Sequence, residues 1–145
     1  MSSILPVASV VTENAWKEFL LLKKSFELYH QAEWYISCDK KVAELSKEYE
    51  NIVALPLIDH DNCDHNTIDA EKKKQFMKIV MTKFDACEKA MEANGRVLFL
   101  DSDIIFVNPL DERFRSLFHF ADIDGIICPH MTGDAVNEAK HGYFN

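Results

Sequence analysis

Four short apolar runs, each separated from the next by residues at helical spacing, constrain this chain more than any other feature. The runs are Pro6–Thr12 (PVASVVT), Trp34–Cys38 (WYISC), Ile52–Ile58 (IVALPLI) and Arg96–Leu100 (RVLFL). Between the first two, Ala15, Phe19, Leu22, Phe26 and Tyr29 recur at the spacing of one helix face, which predicts a helix over Ala15–His30. Asp39 stands where it can cap a second, short helix through Lys47. A long helix is predicted from Asp69 to Asn94, with Gly95 placed for a left-handed C-cap. Strands alternating with helices specify an α/β fold: a mostly parallel, Rossmann-like sheet flanked by helices on both faces.

Other segments refine this outline. Pro56 cannot donate to a ladder, so the third strand belongs at an edge or a bulge. The run Arg96–Leu100 is apolar on both faces and is predicted to be central. A second apolar run, Ile104–Val107, follows it directly, and Pro109 then breaks the chain. A short helix is predicted over Glu112–Phe118 and a fifth strand over Gly125–Cys128. The last residues, Gly142–Asn145, read as the start of another element, so the fold is expected to be incomplete at its C-terminus.

The chain has 145 residues, 48% of them hydrophobic, enough for one compact domain with a core. Its net charge of -8 is spread along the sequence, and no basic stripe exists to follow a phosphate backbone, which argues against a nucleic-acid partner. Cys38, Cys63, Cys87 and Cys128 show no CxxC pairing, and three of them lie in apolar runs. This favours a reducing compartment. The apolar stretch Ile4–Val11 is too short to span a bilayer and lacks a basic flank, and no later stretch is long enough. A cytoplasmic location without a transmembrane segment is the expectation.

In an open parallel sheet, ligands bind outside the carboxyl ends of the strands. That rule ranks three Asp-x-Asp tripeptides. Asp122 and Asp124 precede a strand and belong at the far edge, as a solvated turn. Asp59 and Asp61 follow a strand but open a polar loop where carboxylates simply face water. Asp101 and Asp103 follow the most hydrophobic strand and precede another apolar run. Two carboxylates pinned between buried strands are costly, and a divalent cation removes the cost. Oxygen ligands of this kind suit Mg²⁺ or Mn²⁺, which keep positions open for phosphate oxygens. The alternative is a pair of strand-end aspartates capping backbone amides. Lys83 lies seven residues from both Phe76 and Ala90, at the border of an apolar stripe formed by Phe76, Val80, Phe84, Cys87 and Met91. It either snorkels outward or pairs with an anion. His60, Cys63 and His65 match no standard zinc site and read as loop residues, and His130 follows the fifth strand without further distinction.

The segment Gly95–Leu110 (GRVLFLDSDIIFVNPL) resembles the metal-binding segment of GT-A fold glycosyltransferases, in which an apolar strand leads to a DxD motif, a short strand and a break. The preceding helix with Lys83, the first strand ending in Thr12-Glu13-Asn14 and the second ending in Cys38-Asp39 extend the resemblance over nearly the whole chain. It implies a metal-dependent transferase that moves a sugar from a nucleoside-diphosphate sugar, a UDP-sugar by preference, to an acceptor hydroxyl on a glycan, protein or lipid. In that reading Asp103 binds Mn²⁺ or Mg²⁺, and Asp101 contacts the metal or the donor ribose, with Ser102 between them on the donor. Thr12 and Asp39 border the nucleoside, and Lys83 pairs with the motif or the phosphates. The resemblance also implies that residues 1–145 are the donor-binding part of a single GT-A domain. The acceptor-binding half and the catalytic residue would then lie beyond Asn145. Two alternatives remain. One is a magnesium-dependent phosphatase of the haloacid dehalogenase kind, in which the aspartate pair closes the first strand instead of the fourth. The other is a non-catalytic module that binds sugar nucleotides.

Overall fold

A computed structural model describes residues 4–59, 69–119 and 124–126. The chain divides into two compact units, Met1–Pro109 and Leu110–Asn145. The first contains β1 (Leu5–Val11), a 3₁₀ turn (Glu13–Ala15), α1 (Trp16–Glu27), β2 (Ala32–Asp39), α2 (Lys40–Ser46), β3 (Ile52–Ile58), α3 (Ala70–Met81), α4 (Lys83–Asn94) and β4 (Leu98–Phe99). In the second, the described residues form one helix, α5 (Glu112–His119), close to the predicted bounds.

The sheet is four-stranded and parallel, in the order β3-β2-β1-β4. It is an α/β, Rossmann-like arrangement, as the alternation of strands and helices predicts. Register fixes which residues share a face. Val7 lies beside Trp34, Ser9 beside Ile36 and Val11 beside Cys38. This face carries α1, whose Phe19 and Phe26 stand edge-on to Trp34 at 5.3 and 5.6 Å between ring centroids. All three rings are fully buried, and each brings the large apolar area of an aromatic side chain into the core. The opposite face presents Ala8, Val10, Tyr35 and Ser37 to α4, which packs on β1 and β2. Ala86 and Ala90 are the buried residues of α4, and their small side chains let the helix lie close over Ala8.

Local chemistry explains several boundaries. Asp39 ends β2 in an extended conformation and its Oδ1 accepts the Val42 amide at 2.9 Å, which starts α2. Gly95 closes α4 at φ 72°, a conformation that a side chain disfavours. Pro56 lies in the edge strand, as expected. Between the Ser37–Leu55 and Asp39–Ile58 pairs, one residue of β2 faces two of β3, so Pro56 falls in a bulge where no ladder donor is needed.

The structure corrects several expectations. The helix predicted over Asp69–Asn94 is two helices meeting at Thr82. There the Thr82 hydroxyl donates to the Ile79 carbonyl at 2.6 Å, and the Thr82 amide donates to the same carbonyl at 3.1 Å, tightening the turn. The fourth strand is not central among the described residues. It is only two residues long, pairs with β1 alone and stands at the sheet edge among the described residues. Its two side chains, Leu98 and Phe99, are half-buried. Ile104–Val107 is not a strand either. Phe106 packs edge-on against Phe26 at 4.9 Å and its amide donates to Ser25 Oγ, while Tyr29 donates to the Val107 carbonyl. The segment is thereby tied to α1, and Ile105 and Val107 face solvent. Finally, the apolar stripe of α4 is not its buried face, since Phe84 and Met91 are more than half or half exposed. Of the fifth strand predicted at Gly125–Cys128, Gly125 and Ile126 carry no strand, and Ile127 and Cys128 lie outside the described residues.

Candidate functional site

In the order β3-β2-β1-β4 the chain leaves β1 toward β2 on one side and returns to β4 on the other. The boundary between β1 and β4 is therefore the topological switch point, where open parallel sheets leave a crevice at the carboxyl ends of the strands. Thr12 follows β1 at this point, half-buried, and its carbonyl accepts the Ala15 amide at the entrance to the 3₁₀ turn. Leu100 continues from β4, buried, with its amide donating to the Ala8 carbonyl at 3.0 Å. Asp101, Ser102 and Asp103 come next. Three of the sequence-predicted residues, Asp101, Ser102 and Asp103, thus leave the sheet beside the strand that the fourth, Thr12, directly follows.

The carboxylates are not pinned between buried strands. Asp101 and Asp103 are exposed and Ser102 is half-buried; the segment after them is tied to α1 through Phe106. The burial cost invoked from sequence is therefore absent, and these groups stand in water, open to a ligand. No cluster of three or more His, Cys, Asp or Glu side chains occurs among the described residues.

Lys83 opens α4, half-buried, on the face that also carries Ala86 and Ala90. Its Nζ lies 5.8 Å from the Phe99 ring centroid and 5.4 Å from that of Phe84. It is thus held over β4, two residues before Asp101. Its charge also reaches Cys87: burial pushes that thiol up, and Lys83 opposes the shift. Cys38, beneath the opposite face, is pushed up to about 12, first by burial and then by the adjacent Asp39.

Asp39 stands at the tip of β2, at the carboxyl edge of the sheet. It is 2% exposed. Besides capping α2, it accepts the Glu13 amide on Oδ2 at 2.6 Å. One carboxylate therefore joins the tip of β2 to the turn after β1, and both oxygens are engaged by backbone amides. It ties the ends of β1 and β2 together at the carboxyl edge of the sheet.

A feature missed in the sequence lies at the carboxyl end of β3. There Leu57, Ile58 and Asp59 border an open groove of about 310 Å³, closed on its other side by Lys74, Lys78 and Thr82 of the α3 segment. The signal was the pair Lys74 and Lys78, one helical turn apart in a helix that follows a strand end. Asp59 is exposed there. Asp61, His60, Cys63, His65, Asp122 and His130 lie outside the described residues, and Asp124 is exposed. Among the described residues, no helix is long and apolar enough to cross a membrane.

The fold and crevice define a parallel α/β protein with an acidic segment at its switch point. Comparison with protein families, with curated proteins and with solved structures gives no match to this chain.

Proposed function

We propose that this chain is the donor-binding part of a metal-dependent glycosyltransferase of the GT-A kind, using a nucleoside-diphosphate sugar. The observation that carries the reading is the sequence Asp101-Ser102-Asp103 emerging, solvent-open, directly beyond β4 and beside β1, where a parallel sheet offers its ligand crevice. Carboxylate oxygens such as those of Asp101 and Asp103 suit a hard cation that shares the rest of its shell with water and phosphate oxygens. Asp101 and Asp103 would hold Mn²⁺ or Mg²⁺, which would supply Lewis acidity to offset charge developing on the departing diphosphate. Lys83 adds a fixed positive charge near β4 that favours the same diphosphate. Thr12 borders the nucleoside side of the crevice, and Asp39 keeps the tips of β1 and β2 together. The sugar is transferred to an acceptor hydroxyl.

The test is calorimetric titration of UDP into the protein, with and without Mn²⁺, for the wild type and Asp103→Asn. The expected result is metal-dependent binding that disappears in the variant while the circular dichroism spectrum is unchanged. UDP binding that ignores Mn²⁺, or that survives in Asp103→Asn, overturns the reading.

A further inference from the structure

The most exposed apolar side chains of α3 and α4 form one strip. Met77, Met81, Phe84 and Met91 are 51%, 53%, 57% and 50% exposed. Thr82 stays in the right-handed helical region between the two helices, so their side chains can be compared on one helical wheel to within the small offset that the tightened turn adds. At 100° per residue the four side chains fall within about 80° of one another. Ala86 and Ala90, which face the sheet, lie on the opposite side. The helix pair is thus apolar on the side that no described residue covers, and three of the four residues are methionines, whose flexible side chains adapt to a partner.

Charge along this strip is polarised. Toward the start of α3 it carries Lys73, Lys74 and Lys78, and along α4 it carries Asp85, Glu88 and Glu92, all exposed. Glu71 and Lys89, on the outer flank of the strip, are the exceptions, and Lys89 already touches Glu92 at 3.4 Å, a surface contact of little energetic weight. We propose that the strip docks on the same strip of a second copy of this chain, with the helix pairs antiparallel about a two-fold axis passing near position 83. Lys74 and Glu92 are each nine residues from that position, and Lys78 and Glu88 are each five, so each lysine meets a glutamate of the partner. Met77, Met81, Phe84 and Met91 do not fall opposite themselves and interleave with their copies. A two-fold contact of this kind is self-complementary. The parallel alternative sets lysine against lysine and glutamate against glutamate, and is disfavoured.

Sedimentation equilibrium of the full chain tests this, with three surface variants. The wild type is expected to be a dimer that dissociates on dilution. Met81→Glu combined with Phe84→Glu gives a monomer with an unchanged circular dichroism spectrum. Lys74→Glu/Lys78→Glu and Glu88→Lys/Glu92→Lys each weaken the dimer by about tenfold. Mixing these two charge-reversed variants restores wild-type affinity, because each then meets its opposite. A wild type that stays monomeric overturns the proposal, including one whose Met77 and Met81 resist peroxide because the chain itself covers them. So does a dimer that survives the Met81/Phe84 variant, or a mixture no tighter than its components.

Discussion

The Ser37 hydroxyl donates to Thr82 Oγ1 across 2.6 Å, joining the middle strand of the sheet to the point where α3 gives way to α4. Thr82 passes its own proton to the Ile79 carbonyl at 2.6 Å. The helix break is therefore held from two sides, by a polar chain rooted in a fully buried serine. Thr82→Ala strands the Ser37 hydroxyl in the core. The expected cost is about 1–3 kcal/mol. Urea unfolding measures it, and Thr82→Ser should recover most of the loss. A Thr82→Ala protein as stable as the wild type would mean that the break does not depend on this bond.

Asp39 supports a second prediction. Its two oxygens accept the amides of Val42 and Glu13, 26 positions apart for the latter pair. Asparagine offers only one acceptor and turns an NH₂ group toward the other amide. Asp39→Asn is therefore expected to destabilise the fold by about 2 kcal/mol. Affinity for a nucleotide, measured well below the melting temperature, should change little. A variant with wild-type stability and no nucleotide binding would return Asp39 to the ligand site.

These two contacts mark what was legible in the sequence. The Asp39 cap, the Gly95 C-cap, α5 and the bounds of β3 are local, since each depends on residues within one turn or one strand. The break at Thr82 depends on Ser37, 45 positions away, and no periodicity announces it. Helical spacing correctly groups Phe84 and Met91 on one stripe, but it cannot say which side of a helix meets the sheet. The close approach over Ala8 favours Ala86 and Ala90, and turns the larger side chains outward. For the site, the strand-end rule singles out Asp101 and Asp103 from three similar tripeptides. Their exposure was not legible, because an apolar run before an Asp-x-Asp does not say whether the residues after the strand stay in the sheet or, as Phe106 does, leave it to pack on α1.

The raised Cys38 thiol predicts a pH dependence. Its pKa is shifted from the ordinary 9.0 to about 12 by burial, so the folded state keeps a proton that the unfolded state releases. Its stabilising contribution is complete below pH 9, declines as the unfolded thiol ionises, and is lost by about pH 12. Tyr35, raised by burial and by its hydrogen bond with Glu33, acts in the same direction at its own higher range. The check is urea unfolding at several pH values for the wild type and Cys38→Ala. The stability difference should be constant below pH 9 and shift steadily in favour of Cys38→Ala above it. Parallel curves throughout would contradict the buried, protonated thiol.

Lys83 offers a prediction with two independent readouts. Its charge lowers the Cys87 thiol against the upward push of burial, and its Nζ stands 5.8 Å from the Phe99 ring, beside the strand that delivers Asp101. Lys83→Ala removes both influences without opening the core, because the side chain is only half-buried. Cys87 should then become harder to ionise, and its alkylation, followed site by site by mass spectrometry near pH 8, should slow. In the proposed donor site, the same change should weaken UDP by roughly tenfold and leave uridine nearly unaffected, since the lost contact is to the diphosphate. The two results separate position from function. Slower alkylation with unchanged UDP affinity would keep Lys83 beside Cys87 but remove it from the phosphate site. An equal loss for UDP and uridine would instead point to a displaced α4, whose first turn Lys83 helps hold against Phe99.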